Sequence, residues 1–129
     1  MGVSSDAMLY FGFRVGGEDE LPEWMGEHKH FDDFILVKEG LPVDLPYEKR
    51  APVIKKCPAE LQLYCAYEYP MYVLAVRGSE HKVYRGDIKE ISPADLEVHP
   101  DKIVAFKAWC ESADIPYETP KWLLCSMYG

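Results

Sequence analysis

The chain has 129 residues, 48% of them hydrophobic, and a formal net charge of −8 at pH 7. Its length predicts one domain over residues 1–129, with a core large enough to fold without disulfides or a structural metal. The apolar content excludes a disordered acidic tail, and the acidic balance disfavours binding to the phosphates of nucleic acid. No signal-peptide pattern occurs and no apolar run approaches the roughly 20 residues that span a bilayer, so we expect a cytoplasmic protein without membrane contact.

The first predicted element is a strand over residues 8–15, followed by an acidic loop and a short helix. Apolar side chains alternate along this strand, which predicts one strongly apolar face. Residues 16–33 then hold seven acids against Lys29 alone. Residues 30–39 carry apolar side chains at helical spacing, and Gly40 followed by Pro42 predicts the end of this helix.

A proline-rich segment, residues 41–58, follows the predicted helix. Its four prolines stand four to six residues apart, a density that predicts an extended connection and argues against a helix or a central strand. The same segment holds the basic stretch of the chain. Four cations occur there within eight residues that contain no acid: Lys49, Arg50, Lys55 and Lys56.

Three strands are predicted in the middle of the chain, over residues 60–68, 71–77 and 81–85. These segments are rich in Tyr, Leu and Val, which favour strands. Residues 69–70 form a tight connection between the first two strands. The Gly-Ser pair at residues 78–79 predicts a hairpin between the second and the third.

The last part of the chain predicts a helix over residues 100–113 and a closing strand over residues 121–128. Ser92 and Pro93 predict a single helical turn before this helix, and Pro100 occupies its first position. The element order is therefore β-α-β-β-β-α-β. This order predicts an α+β fold in which two helices pack on a mixed or mainly antiparallel sheet of about four to five strands.

The acidic loop is the first candidate for binding a partner. An indole lies among its acids, so charge would steer a basic protein surface towards the loop while the ring supplies apolar contact. The same pattern also fits a solvated loop whose indole folds back onto the sheet. The candidate residues are Glu18, Asp19, Glu20, Glu23 and Trp24.

Tyrosines on the predicted middle strands are the second candidate. Tyrosine is stiff and amphipathic, so a tyrosine-bearing sheet face suits protein binding, although the same rings also fit as cover for the sheet. The residues of this face are Tyr64, Tyr67, Tyr69 and Tyr72. An alternative arranges Tyr67, Glu68, Tyr69 and His81 around a small-ligand or catalytic pocket. In a third interpretation the last strand, KWLLCSMY, is an exposed edge that pairs with a second copy.

Patterns for catalysis and for metal binding are weak. His28, His30 and Asp32 are of the residue types that ligate metals, but their spacing on a loop does not place them on one side. No GxSxG elbow, nucleotide-binding glycine motif or CxxC pair occurs, so no cofactor is expected and catalysis is not favoured. We expect reduced, buried thiols rather than disulfides at the four cysteines, Cys57, Cys65, Cys110 and Cys125.

The start MGVSSDAMLYFGFRVG, the tyrosine-rich YCAYEYPMYVLAV segment and the end WLLCSMYG resemble small uncharacterised proteins of tailed bacteriophages and prophages. That group carries no established activity, so the resemblance implies only a context, the cytoplasm of a bacterial host. We therefore expect a non-catalytic accessory protein that binds and modulates or inhibits a host or phage protein, with host defence as one target. Two alternatives stay open: a small enzyme or ligand-binding domain, and a self-associating structural or virion-associated protein.

Overall fold

A computed structural model describes residues 5–128, which form five β-strands, three α-helices and two short 3-10 turns. The strands are β1 (Ser5–Val15), β2 (Ala59–Cys65), β3 (Pro70–Val76), β4 (His81–Val83) and β5 (Lys121–Tyr128). The helices are α1 (Phe31–Lys38), α2 (Tyr47–Lys56) and α3 (Pro100–Ser112), and the 3-10 turns are Glu23–Met25 and Pro93–Leu96. No helix among the described residues is long and apolar enough to cross a membrane. The predicted α+β class is confirmed, with one helix more than expected.

β1 is the strand around which the mixed sheet is built. It pairs antiparallel with β5 along residues 5–12, while its opposite edge pairs with β4 at residues 7–9 and with β3 at residues 12–15. β2 pairs antiparallel with β3, and one parallel pair, Cys65 with Met127, joins β2 to β5. The sheet therefore curls until β2 and β5 meet.

The predicted hairpin between β3 and β4 is wrong, because both strands lie along the same edge of β1. Gly12 pairs with Ala75, and Leu9 pairs with His81. The chain therefore advances six residues from β3 to β4 while β1 advances only three. Residues 77–80, between the two strands, absorb the difference by bulging out of the ladder.

A side chain repairs the ladder at this bulge. Gly78 has a φ of 83°, and the buried Ser79 accepts a hydrogen bond on its Oγ from the Phe11 N–H at 3.1 Å. The hydroxyl stands in for the carbonyl that the bulge removes from the ladder. The glycine thus bends a continuing strand instead of reversing it.

The predicted extended connection over residues 41–58 is also wrong, because α2 forms within it. Pro46 precedes this helix and Pro58 follows it, so only Pro52 interrupts the helical hydrogen bonds. An ion pair of 2.9 Å between Arg50 Nη2 and Asp33 Oδ1 attaches α2 to α1. The number of prolines therefore overestimates how strongly this segment disfavours a helix, because Pro52 is the proline that lies inside α2.

Two apolar clusters lie on opposite faces of the sheet. The larger one joins the sheet to α1 and α3 and includes Phe13, Phe34, Leu74, Phe106 and Trp109. The smaller one consists of strand residues only, Met8, Tyr10, Val73, Ala75 and Cys125. The strand registers place these five residues on one face, and the curl of the sheet closes over them.

Candidate functional site

The acidic loop leaves β1 through a tight turn. Gly16 has a φ of 73°, and a Cβ at this position would overlap the carbonyl oxygen of Glu20. The N–H of Glu20 donates to the carbonyl of Gly17 at 3.3 Å, and Asp19 takes a left-handed φ of 57°. The backbone thus holds Glu18, Asp19 and Glu20 together at one corner of the molecule.

Trp24 follows this corner on the first 3-10 turn and is half-buried. Its ring packs against Phe34 with ring centroids 5.1 Å apart, and its edge meets Phe31 at 6.2 Å. The neighbouring Met25 is 1% exposed, and its N–H donates to the carbonyl of Pro22. The indole is therefore folded back, but against α1 rather than against the sheet.

A cavity of about 630 Å³ opens between this loop and the C-terminal end of α3. We call it the acidic cleft. Four carboxylates line it: Glu20, Glu23, Asp114 and Glu118. Arg14 is the cation of the lining, and the apolar wall consists of Phe13, Val15, Leu21, Pro22, Trp24 and Pro116. The structure therefore places the predicted loop residues Glu20, Glu23 and Trp24 on one cavity.

Two of the four carboxylates, Asp114 and Glu118, were not predicted as binding residues. Both follow α3, and Asp114 has a left-handed φ of 57° where the helix ends. The next residue, Ile115, is buried and its N–H donates to the carbonyl of Cys110 at 2.9 Å, which fixes the exit of the chain. The C-terminal end of a helix carries a partial negative charge, so α3 adds to the negative potential of the acidic cleft. No local pattern in the sequence marks these acids, because only the fold brings them to the loop.

The tyrosine candidates border the same loop on its other side. The hydroxyl of Tyr69 donates to Glu18 Oε2 at 2.8 Å, and this hydrogen bond raises the pKa of Tyr69. Tyr64 and Tyr72 line a second hollow of about 200 Å³, which shares residues 14–17 with the acidic cleft. The two surfaces that the sequence presented separately are therefore neighbours.

The alternative pocket is not assembled in the structure. Tyr72 lies opposite Val15 in the ladder, whereas His81 lies opposite Leu9. These positions are separated by six residues of β1, a distance of about 20 Å along a strand. Tyr67, which is 80% exposed, belongs to the turn before β3. The fold therefore places His81 at the far end of the edge from Tyr67, Glu68 and Tyr69.

The metal candidates lie around the start of α1. His30 precedes the helix as its N-cap residue and Asp32 belongs to its first turn, while His28 lies in the loop before it. Within residues 5–128, no group of three or more His, Cys, Asp or Glu side chains is arranged to hold a metal ion.

The four cysteines are free thiols. Cys57, Cys110 and Cys125 are buried, as predicted, whereas Cys65 is only half-buried. Burial raises the pKa of Cys57 to about 11 and the pKa of Cys110 to about 12. At neutral pH these two thiols are protonated and lack the thiolate that a nucleophile needs.

The acidic cleft is the cavity with the largest volume among those described, and its chemistry suits noncovalent binding of cations. Negative charge, an apolar wall and a fixed aromatic ring occur together there. No known protein family, curated protein or solved structure matches the chain.

Proposed function

We propose that this protein is a non-catalytic binding protein that captures a basic segment of a partner protein in the acidic cleft. The convergence of four carboxylates, from two distant parts of the chain, carries this proposal. Lysine and arginine side chains have the complementary form, because a charged tip ends a long apolar stem. The tip would lie near Glu20 or Asp114, and the stem would lie on the apolar wall.

The fixed position of Trp24 supports this proposal. Phe34 and Phe31 hold the indole on one side, so the ring loses little freedom when a partner covers its other side. A cation over the face of an indole gains a further electrostatic attraction. The same packing makes Trp24→Phe a better test than Trp24→Ala, since alanine would leave a cavity beside Phe34.

The tyrosine hollow supports a longer binding face. It adjoins the acidic cleft at residues 14–17, and the bond between Tyr69 and Glu18 holds the two surfaces together. Tyr67 and Tyr69 are exposed beside it. We infer that an extended basic segment crosses from the acidic cleft to these rings.

The resemblance to phage proteins extends the proposal to the partner. In the cytoplasm of a bacterial host, the basic segment would belong to a host protein, and its capture would modulate or inhibit that protein. Protein surfaces that bind nucleic acid are basic, so a carboxylate-lined cleft would compete with nucleic acid for such a surface on the host protein.

The test is calorimetric titration of a lysine- and arginine-rich peptide into the protein. The cleft variant combines Asp114→Asn with Glu118→Gln, and its matched control combines Asp87→Asn with Glu90→Gln, which removes the same charge at exposed sites away from the cleft. Each exposed ion pair contributes about 0.2–1 kcal/mol, so the cleft variant should bind the peptide about fivefold more weakly. The control variant should bind as the original protein does. Equal losses in both variants would show that net charge, and not the cleft, attracts the peptide.

A second candidate function, self-association, is favoured by the exposed apolar residues of β5. Leu124 is 80% exposed on this strand, and Tyr128 is exposed near its end. β5 lies between β1 and β2 in the sheet, so it is not the exposed edge strand that the sequence predicted, and a second copy would pack on these apolar side chains instead of pairing with the strand. Light scattering over a concentration series tests it, because a mass that stays at 14.8 kDa at every concentration would exclude self-association.

A further inference from the structure

A second cavity, of opposite charge, lies at the other end of α3. It has a volume of about 460 Å³ and is bounded by the end of α2, the end of β3 and the first turn of α3. Cys57, Pro58, Val76, Gly78 and Ala105 supply its uncharged surface, and Lys55, Lys56, Arg77 and Lys102 surround it. We call it the lysine cavity. α3 has thirteen residues and is therefore about 20 Å long, so the lysine cavity and the acidic cleft are separate sites.

The lysines of this cavity form no close ion pair within the described residues. Within residues 5–128, none of Lys55, Lys56 and Lys102 forms an ion pair within 4.0 Å. Asp101 contributes one carboxylate to the lining, and His99 Nδ1, 3.7 Å from its Oδ2, accepts from the N–H of Asp101 and so does not donate to this carboxylate. Three ammonium groups therefore face one carboxylate around this cavity, an excess of positive charge in a chain whose net charge is −8.

Arg77 gives the cavity a fixed wall. Its Nε donates to the carbonyl of Cys57 at 2.7 Å, and its Nη2 donates to the carbonyl of Ala59 at 3.1 Å. Its Nη1 also lies 3.8 Å from Glu60 Oε2. The guanidinium therefore joins the ends of β2 and β3, while the three lysines are left to meet a ligand.

A hollow that adjoins the lysine cavity holds a buried polar atom without a partner in the described part of the chain. This hollow, of about 110 Å³, shares residues 76–78 and Lys102 with the lysine cavity, and His81 lines it. His81 Nε2 lies 3.1 Å from the carbonyl of Asp95, whereas Nδ1 is buried without a partner in the described part of the chain. With Nε2–H donating to that carbonyl, Nδ1 is an acceptor, so it takes a hydrogen bond from a water and not from the oxygens of an anion, which have no proton to donate. The anion proposed below therefore rests on the lysines and on the apolar lining of the lysine cavity.

We propose that the lysine cavity binds a small organic anion with an apolar body. The body would lie on Pro58, Val76 and Ala105, and a carboxylate or a phosphate would lie among the three lysines. Ammonium groups act as point charges and accept either anion. A volume of about 460 Å³ lies within the range of small-molecule sites, about 300–1,000 Å³.

The experiment titrates octanoate and octyl phosphate into the protein by calorimetry, with octanol as the uncharged probe of the same chain length. We expect saturable binding of at least one anion, tighter than that of octanol, with movement of the Gly78 and Ala105 amide signals in an NMR titration. Lys102→Gln should weaken the binding about threefold, the effect of one exposed ion pair. The triple variant with Lys55→Gln and Lys56→Gln should weaken it about tenfold or more.

Lys107→Gln is the matched control, because Lys107 lies on the same helix but interacts with Glu111 at 3.9 Å and with the ring of Tyr117. This variant should bind the anions as the original protein does. Three results would overturn the proposal: no saturable binding of either anion, octanol binding as tightly as the anions, or equal weakening by Lys107→Gln and Lys102→Gln. Binding of octyl phosphate without octanoate would assign the site to phosphate esters, and the reverse would assign it to carboxylates.

Discussion

Replacing Gly16 with alanine tests whether the tight turn of the acidic loop positions the acidic cleft. The φ of 73° at Gly16 costs a residue with a Cβ about 1–2 kcal/mol. The new Cβ would also overlap the carbonyl oxygen of Glu20, a backbone atom that cannot rotate away as a side chain would. We therefore expect the free energy of unfolding, measured by urea denaturation, to fall by about 2–3 kcal/mol. The backbone shift also moves Glu20 and Glu23, so the affinity for the basic peptide should fall about threefold to tenfold.

Gly17→Ala is the control for this prediction, because Gly17 is the adjacent residue in the same turn. A Cβ there would have as its nearest atom Glu20 Oε2 at 3.3 Å, the end of a flexible side chain. We expect the stability of this variant to stay within about 1 kcal/mol of the original, and its peptide affinity to fall less than that of Gly16→Ala, because only the end of the Glu20 side chain has to move. Equal stability and equal affinity of the Gly16→Ala and Gly17→Ala variants would refute the reasoning.

Four further predictions concern the fold. Gly12→Ala should lower the free energy of unfolding by about 3 kcal/mol, because its Cβ would overlap the backbone oxygen of Leu74; unchanged stability in urea would contradict the close approach of β1 and β3. Pro52→Ala should raise the stability by about 1–3 kcal/mol by restoring a hydrogen bond within α2, and a lower urea midpoint would count against this. Burial raises the pKa of the Glu60 carboxyl above its usual value, so the folded state holds this proton more tightly than the unfolded state does. The free energy of unfolding should therefore fall as the pH rises through that raised pKa. Glu60→Gln should flatten this slope, and an unchanged slope would show that another group causes it. The half-buried Cys65 should react with an aromatic disulfide reagent at pH 8 faster than the buried thiols, and persistence of the fast phase in Cys65→Ser would disprove this.

Elements with a strong local signal were predicted within a few residues of their observed ends. The helix predicted over 100–113 is α3, and its start follows from local bonds, since His99 Nδ1 accepts from the N–H of Asp101 at 3.1 Å. The strand predicted over 121–128 is β5. α2 was missed because the proline rule weighs each residue alone, whereas the ion pair between Arg50 and Asp33 ties this helix to α1.

The sequence by itself determined which segments are strands and helices, with the exception of α2, and it determined that acids and an indole are concentrated near the end of β1. Only the tertiary structure decided that β4 continues along β1, that Asp114 and Glu118 join Glu20, and that His81 lies away from the tyrosines. The physical reason is that periodicity shows which face of an element is buried but not which element covers it. Partners at a strand edge or a cavity are chosen by contacts between residues far apart in the chain, and these contacts leave no local pattern.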